Sequence, residues 1–301
     1  MEKKCVKSEN GTVWYWLHRH NNPTAEWIVM THGLSANHTM FDRQVGHFAK
    51  THSVITWDVP LHGESTPYKQ FSFVNAAKEL NTILETEQVA KAVLVGMSMG
   101  GYVSQQFIEA YPEKTQAFIA VDTTPFGLQY YSRSDLFWLC HAGTMTAYYP
   151  EKTMRRHFVK ANSISEEGRR LMLQMLAPLS KRDICYQMNM AGNALFAENH
   201  DIELTCPVLI IVGEKDQTAK VQQCCKDWAH KTGYPLVWIP NAAHLSNVDN
   251  WQEVNRAIDD FIGAQPDLTD CTAAPEKVLE KNVRFGFWNS VKEKMSKLVN
   301  P

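Results

Sequence analysis

The sequence lacks the features that mark membrane-spanning and nucleic-acid-binding proteins. Across its 301 residues, no apolar run approaches the roughly 18 residues that a membrane-spanning helix needs. There is no internal repeat and no low-complexity tract. The formal net charge is −2, so there is no broad basic field of the kind that attracts nucleic acid. We therefore expect neither a membrane span nor a nucleic-acid partner.

Signatures of metal and disulfide sites are also missing. The seven cysteines are scattered and odd in number, without a C-x-x-C pair. No H-E-x-x-H motif occurs, and no metal site is expected. Residues 1–7 carry charges without the apolar stretch of a secretory leader. Together with thiols that suit a reducing compartment, these features predict a cytoplasmic protein.

Short apolar runs alternate with helical patterns along most of the chain. Residues 73–86 have apolar side chains near helical spacing, as a crossover helix does. Residues 12–18 alternate in polarity and predict an antiparallel edge strand. The fold class is therefore α/β, with a doubly wound, mostly parallel sheet. The runs that we interpret as buried parallel strands are residues 27–31, 54–57, 92–95, 118–121, 208–212 and 236–239.

Two segments depart from this alternation. Residues 123–206 have a helical pattern throughout, and a structureless loop of that length is uncommon in a compact domain, so we predict an inserted helical cap. The core then comprises residues 1–122 and 207–263. Residues 264–301 are interpreted as a linker followed by an amphipathic helix. That helix either contacts anionic lipid at a membrane periphery or docks onto the enzyme body.

The most informative motif is a nucleophile elbow. The sequence G-M-S-M-G at residues 96–100 follows the predicted strand 92–95 and precedes a helical pattern. Such a turn strains the backbone of the serine and exposes its hydroxyl, while the glycines avoid collisions with the neighbouring strand and helix. The motif predicts Ser98 as a nucleophile. The alternative is a glycine-rich turn with an incidental serine.

A serine hydroxyl is a poor nucleophile at neutral pH and needs a histidine base that a carboxylate orients. Asp216 follows the predicted strand 208–212, and His244 follows the strand 236–239. Both should lie at the carboxyl edge of the sheet, and the chain order Ser98, Asp216, His244 fits this architecture. We therefore predict these three as the catalytic residues.

Two other residues, an aspartate and a histidine, are rivals to members of this predicted triad. Asp122 ends the predicted strand 118–121 and is an alternative acid. His62 lies on the loop after the strand 54–57. We interpret that loop as a structural turn in which Asp58 holds backbone amides.

An acyl transfer reaction also needs backbone donors for the oxyanion. The candidates are the N–H groups of Leu34, in the turn after the strand 27–31, and Met99, directly after the predicted nucleophile. His32 in the same turn is expected to order the loop. For substrate binding, the candidates are the aromatic residues Phe126, Tyr130 and Trp138 of the predicted cap, with cap-to-core packing as the alternative.

Taken together, these motifs resemble the α/β-hydrolase superfamily, in its cap-bearing branch of serine esterases and lipases. The resemblance covers about residues 12–262. It rests on His32-Gly33, Asp58 with His62-Gly63-Ser65, the elbow at Ser98, Gly213 with Asp216, and His244. The turn Asn241-Ala242-Ala243 departs mildly from the glycine-containing turn of that branch. The resemblance implies an acyl-enzyme mechanism that needs no cofactor.

The leading hypothesis is a carboxylic ester hydrolase for small to medium apolar acyl groups, with a monoacylglycerol as one candidate substrate. A carbon–carbon hydrolase or lyase on the same triad is an alternative, in which Arg133, Arg155 or Arg156 would hold a substrate carboxylate. Acyl transfer also stays open, and a low-turnover binding protein is a third class. Serine at the elbow disfavours dehalogenase and epoxide hydrolase chemistry, which needs a carboxylate nucleophile.

Overall fold

A computed structural model describes residues 1–264 of the chain. Its strands form one eight-stranded sheet, in the spatial order β1-β2-β4-β3-β5-β6-β7-β8. In chain order they are Glu2–Lys7 (β1), Thr12–His18 (β2), Trp27–Thr31 (β3), Ser53–Trp57 (β4), Ala92–Met97 (β5), Thr115–Val121 (β6), Val208–Gly213 (β7) and Leu236–Ile239 (β8). The strands from β3 to β8 pair in parallel, whereas β1 with β2 and β2 with β4 are antiparallel. The predicted fold class is confirmed.

Helices cover both faces of the sheet. They are Asp42–Phe48 (α1), Phe73–Thr86 (α2), Met99–Ala110 (α3), Arg133–Thr146 (α4), Glu151–Asn162 (α5), Glu166–Leu176 (α6), Lys181–Glu198 (α7), Val221–Thr232 (α8), Ser246–Asp249 (α9) and Trp251–Gly263 (α10). Apolar residues of α2, α3 and α8 pack on one face, and those of α1 and α10 pack on the other. In the described part of the chain, no helix is both long and apolar enough to span a membrane.

The six predicted parallel strands are all present because their apolar runs are buried from both sides. Every residue of β4, β5, β6 and β7 is buried. Neighbouring residues face opposite layers: in β3, Ile28 and Met30 pack in one layer and Val29 in the other. Burial on both faces makes such strands continuous apolar runs in the sequence.

The prediction of β2 as an edge strand is wrong. The strand β1 pairs with it over six residues, from Glu2 opposite Leu17 to Lys7 opposite Thr12, and forms the true edge. Only Val6 of β1 is buried. A charged edge strand of this kind blunts edge-to-edge aggregation, and it carries little apolar signal in the sequence.

The chain between β6 and β7 contains the helices α4 to α7. We call this segment, residues 122–207, the helical insertion; α4 packs against α7, and α5 against α6. Two of its helices, α4 and α7, begin at reciprocal capping boxes, formed by Ser132 with Asp135 and by Ser180 with Asp183. The predicted linker and C-terminal helix lie outside the described residues, apart from Ala264, and stay predictions.

Candidate active site

Ser98 occupies a strained turn between β5 and α3. Its backbone angles are φ 50° and ψ −119°, in a region that costs a residue other than glycine about 1–3 kcal/mol. Hydrogen bonds hold the turn: the Ser98 N–H donates to Val121 O at 3.0 Å, and the Gly101 N–H donates to Ser98 O at 2.9 Å. The neighbouring strand and helix therefore fix the position of the hydroxyl.

The two glycines of the motif are required by close backbone approach. A Cβ atom on Gly100 would lie 2.1 Å from the carbonyl oxygen of Thr31 on β3. A Cβ atom on Gly96 would lie 2.7 Å from Gly100 O at the start of α3. Any side chain at either position would push the helix away from the sheet and move Ser98 with it.

Ser98, His244 and Asp216 form a hydrogen-bonded series, although they lie far apart in the sequence. The Ser98 Oγ is 2.9 Å from His244 Nε2, and His244 Nδ1 is 2.8 Å from Asp216 Oδ2. Each residue follows the carboxyl end of a parallel strand, β5, β8 and β7 respectively. Asp216 and His244 are both buried, with 4% of each exposed. Asp216 Oδ1 accepts a further hydrogen bond from Thr218 N at 2.7 Å, which fixes the carboxylate.

The electrostatic environment keeps His244 basic. Burial lowers the pKa of His244, but the charge and hydrogen bond of Asp216 outweigh burial, and the net pKa lies above its ordinary value of 6.5. The more distant charge of Asp122 acts in the same direction. A histidine in this state can accept the proton of Ser98, because the carboxylate stabilises the imidazolium that forms.

Asp122, the alternative acid, binds the backbone around the series. Its Oδ1 accepts from Gly213 N at 2.8 Å, and its Oδ2 accepts from Ser246 N at 3.1 Å and from the Ser246 hydroxyl. Gly213 precedes the Asp216 loop, and Ser246 follows His244. Burial and the nearby charge of Asp216 raise the pKa of Asp122 to about 7. Asp122 thus joins the two loops, while His244 Nδ1 is paired with Asp216.

The predicted oxyanion donors lie beside the nucleophile. Leu34 and Met99 line the same cavity as Ser98. The loop after β3, which carries Leu34, approaches Ser98 closely, since a Cβ atom on Gly33 would lie 3.2 Å from the Cβ of Ser98. Met99 begins α3, and N–H groups in the first turn of a helix have no acceptor within it. Leu34 and Met99 are therefore close enough to the nucleophile to remain the candidate oxyanion donors.

The loop that carries Leu34 is ordered by the buried histidine His32. Its Nδ1 lies 2.7 Å from Gly33 O, and its Nε2 accepts from Val59 N at 3.0 Å. This arrangement needs one ring nitrogen as donor and the other as acceptor, which is the neutral form of histidine. Burial lowers the pKa of His32 to about 4, in agreement with a neutral ring.

The turn around His62 is structural. Asp58 accepts from His38 N and from Glu64 N, each at 2.7 Å, as expected for a carboxylate that holds a loop. His62 Nδ1 lies 3.1 Å from Pro60 O. Burial lowers the pKa of His62 to about 3. The structure brings His62 to this turn and not to Ser98, whose base partner is His244.

A cavity of about 670 Å³ opens onto Ser98 and His244. Its volume falls within the range of about 300–1,000 Å³ that is common for small-molecule sites. Tyr130 and Trp138 of the helical insertion, two of the candidates for substrate binding, line this cavity. Its wall is mostly apolar and includes the flexible side chains of five methionines, Met40, Met97, Met99, Met172 and Met188.

Phe126, the third candidate for substrate binding, has a different position. It is 3% exposed and is absent from the wall of this cavity. Its ring packs against Phe73 and Tyr102, with ring centroids 6.1 and 5.3 Å apart. Phe126 therefore belongs to the packing between insertion and core, which was the alternative interpretation of the aromatic residues.

Sequence reasoning missed a cluster of hydroxyl groups in the cavity wall. Tyr102, Thr124 and Tyr131 all line the cavity, and their hydroxyl oxygens are mutually within hydrogen-bond distance. The available signal was the position of Tyr102 four residues after Ser98, one turn along α3 on the same face. The other two residues could not be placed without the packing of the insertion.

Comparison with known proteins identifies the family of this fold. The family model described as alpha/beta hydrolase fold matches residues 26–250, which is most of the chain. The chain belongs to the alpha/beta hydrolase family. Among its relatives, 3-oxoadipate enol-lactonase 2 of Acinetobacter baylyi is 21% identical over 248 residues, covering 77% of this chain and 86% of that enzyme. The (E)-2-((N-methylformamido)methylene)succinate hydrolase of the same organism is 25% identical over 275 residues, covering 88% and 100%.

Solved structures show the same hydrolase fold. A thermophilic esterase from Thermogutta terrifontis superimposes with a TM-score of 0.70 at 19% identity, covering 87% of this chain and 98% of that one. At such identity the likeness concerns the fold alone. The named relatives of this alpha/beta hydrolase include a lactonase, a succinate-derivative hydrolase and an esterase. Hydrolase activity is therefore supported at the level of the family, and the substrate has to be argued from the site.

Proposed function

We propose that the protein is a serine hydrolase that cleaves carboxylic esters of uncharged, small to medium apolar acyl groups. The observation that carries the proposal is the series Ser98–His244–Asp216 at the wall of an apolar cavity. An activated serine needs a base within hydrogen-bond reach and a carboxylate that orients this base. Both are present at normal hydrogen-bond distances.

In the first half of the proposed reaction, the Ser98 Oγ attacks the carbonyl carbon while His244 Nε2 takes the hydroxyl proton. The carbonyl electron pair moves to oxygen, and the N–H groups of Leu34 and Met99 stabilise the resulting oxyanion. The bond from carbon to the alcohol oxygen then breaks, and His244 returns its proton to the departing alcohol. The acyl group stays bound to Ser98.

In the second half, water attacks the acyl carbon and gives its proton to His244. The bond from carbon to Ser98 breaks, His244 reprotonates the serine, and the acid leaves. No atom or electron beyond ester and water is needed. Asp216 keeps its charge throughout and stabilises the imidazolium in both halves.

The charge of the cavity favours an uncharged substrate. The names of two relatives indicate substrates derived from oxoadipate and succinate, and a carboxylate of such a substrate requires a cationic partner. Among the described residues that line the cavity, Lys220 is the sole lysine or arginine. It is held by Asp135, with Lys220 Nζ 2.8 Å from Asp135 Oδ1.

The arginines considered for a carboxylate-binding function are located elsewhere. Arg155 binds Glu151 and donates to the carbonyl oxygens of Leu176 and Leu179. Neither Arg133 nor Arg156 belongs to the described wall of the cavity. The alternative of a carbon–carbon hydrolase or lyase therefore loses the feature that suggested it.

The test combines active-site labelling with turnover. We expect a fluorophosphonate probe to label the wild-type protein and aryl esters of increasing acyl length to be hydrolysed. In Ser98→Ala both signals should disappear, with a loss of turnover on the order of 10⁶-fold, as for other serine hydrolases without their nucleophile. A wild-type protein that takes up the label but turns over no ester would overturn the ester assignment, and one that takes up no label would overturn the nucleophile.

Two residues provide the controls. Ser104 lies in α3 close to the elbow, and its hydroxyl donates to Gly100 O at 3.0 Å; Ser104→Ala should keep the label. Cys224 is the thiol in the cavity wall, and burial raises its pKa to about 11, which keeps it protonated. Peptide mapping should therefore find the phosphonyl group on Ser98 and not on Cys224.

A further inference from the structure

The hydroxyl groups of Tyr102, Thr124 and Tyr131, here the hydroxyl cluster, form a closed triangle. Tyr102 Oη lies 2.5 Å from Thr124 Oγ1 and 3.0 Å from Tyr131 Oη, and Thr124 Oγ1 contacts Tyr131 Oη as well. Three hydroxyls contain three hydrogens, and a ring in which each hydroxyl donates to the next uses all of them. Each oxygen accepts one bond in the ring and keeps acceptor capacity for another.

The cluster lies close to the nucleophile and is held by the same elements. Tyr102 is one turn beyond Ser98 on α3. Thr124 follows Thr123, whose hydroxyl donates to the carbonyl oxygen of Ser98 at 2.7 Å. Tyr131 comes from the helical insertion. The cluster therefore joins the two parts of the chain that enclose the cavity, and all three of its side chains line the cavity.

The cluster is neutral. Burial raises the pKa of Tyr102 and raises the pKa of Tyr131 well above the ordinary value of 10.0. Both phenols keep their protons at neutral pH. While its three hydrogens all point around the ring, the cluster offers lone pairs to the cavity, so it accepts a hydrogen bond from an O–H group.

We propose that the hydroxyl cluster is a substrate subsite that accepts a hydrogen bond from a hydroxyl group of the ester, so that the preferred substrates are hydroxyl-bearing esters. The inference rests on the proposed ester hydrolysis and specifies its substrate class. A ligand hydroxyl has one hydrogen and can also accept. It can add to the ring or enter it as a fourth member without leaving a hydrogen unpaired.

The test compares esters that differ by one hydroxyl in place of a methyl. The alcohol arm uses 3-hydroxypropyl hexanoate against butyl hexanoate, and the acyl arm uses ethyl 6-hydroxyhexanoate against ethyl heptanoate. The readout is the ratio of kcat/KM for the hydroxyl ester to that for its methyl counterpart. If the ratio depends on the cluster in the alcohol arm, the recognised hydroxyl belongs to the alcohol. If it depends on the cluster in the acyl arm, the hydroxyl belongs to the acid.

In Tyr131→Phe and Tyr102→Phe we expect this ratio to fall about tenfold in one arm, which corresponds to the loss of one buried hydrogen bond. The matched control is Tyr130→Phe, a cavity tyrosine outside the cluster, in which the ratio should stay that of the wild type. Ratios that are the same in all four proteins would overturn the subsite.

A binding measurement separates this inference from the proposed function. In Ser98→Ala, calorimetric titration with the intact esters reports binding without turnover. The hydroxyl ester should lose about tenfold in affinity relative to its methyl counterpart when Tyr131→Phe is added. If wild-type protein hydrolyses neither ester but this difference in affinity is found, the subsite stands and ester hydrolysis fails. If both esters are hydrolysed and the difference is missing, hydrolysis stands and the subsite fails.

Discussion

The parallel sheet and the helical insertion enclose one cavity, but they supply different groups to it. Ser98, Asp216 and His244 all follow strands of the sheet. The insertion contributes apolar wall and the hydroxyls of Thr124 and Tyr131. The sheet residues are fixed by hydrogen bonds and by backbone contacts such as that of Gly100 with Thr31. The chemistry therefore depends on the part of the molecule that tolerates displacement least.

The surface of the insertion shows the opposite character. On α4, Phe137 is 53% exposed and Trp138 is 56% exposed, whereas β5 and β7 have no exposed residue. Half-exposed side chains contribute less to folding than buried ones, since less apolar area leaves water. Half-exposed residues of the insertion such as Trp138 can consequently change at low cost in stability. Under the proposed function, reactivity belongs to the sheet and substrate selection to the insertion.

The largest expected effect concerns the carboxylate that orients His244. Asp216→Asn keeps the shape of the side chain but removes its charge, and the rate of ester hydrolysis should fall about 10⁴-fold, as when the same change is made in a serine protease. Asp122→Asn should cost about tenfold, because Asp122 positions the two loops through Gly213 and Ser246 and loses one acceptor. Measurement of kcat/KM for both variants with one aryl ester decides between them.

The decisive comparison is which of the two variants loses more kcat/KM. A larger loss in Asp122→Asn than in Asp216→Asn would make Asp122 the acid and contradict the hydrogen bond between His244 and Asp216. The melting temperature serves as a control, since a positioning residue also stabilises the loops that it joins. A lower melting temperature in Asp122→Asn with nearly normal kcat/KM would make its function structural alone.

The next expected effect is a pH dependence of kcat/KM that is set by His244. The pKa of His244 is raised above 6.5, so the imidazolium persists to higher pH than in an isolated histidine. Since the base must be neutral, kcat/KM should fall as the pH decreases, with half of the maximum reached above pH 6.5 and about tenfold lost per unit below that. Asp216→Asn removes the charge that raises this pKa, and the midpoint should move to lower pH.

This profile can be measured between about pH 5 and 9 with the aryl ester, or through the rate of fluorophosphonate labelling where turnover is slow. Trp138→Ala, a change in the insertion, should leave the midpoint where it is. A midpoint below 6.5 in the wild type, or one that Asp216→Asn does not move, would contradict the electrostatic coupling of His244 to Asp216.

The same difference between the two regions explains what could be predicted from the sequence. The six parallel strands were predictable because burial on both faces produces continuous apolar runs. The meeting of Ser98, Asp216 and His244 was predictable because the carboxyl ends of parallel strands lie at one edge of the sheet. The edge strand β1 was missed, since its charged residues carry no apolar pattern.

In the insertion, the sequence gives helices but not the faces that they turn to the cavity. Phe126 and Trp138 both belong to an aromatic segment, yet Phe126 is packed between insertion and core and Trp138 lines the cavity. Trp138 lies on α4, which packs against α7, whereas Phe126 precedes α4 and packs against Phe73 and Tyr102. Both are long-range contacts without a local signal. The hydroxyl cluster likewise depends on long-range contacts, those of Tyr131 with Tyr102 and Thr124.

The smallest expected effect concerns the insertion. It distinguishes a side chain of the cavity wall from one that lies outside the cavity. Trp138 lines the cavity and its neighbour Phe137 does not, although both are about half exposed. Trp138→Ala should lower kcat/KM about fivefold for long acyl esters and leave acetate esters nearly unchanged, because only long chains reach this part of the wall. Phe137→Ala is the matched control and should change neither. Both variants should melt within about 4 °C of the wild type, since each removes a half-exposed side chain. If Trp138→Ala lowers kcat/KM equally at every acyl length, Trp138 does not contact the acyl chain. The residues that select chain length would then belong to the core and not to the insertion.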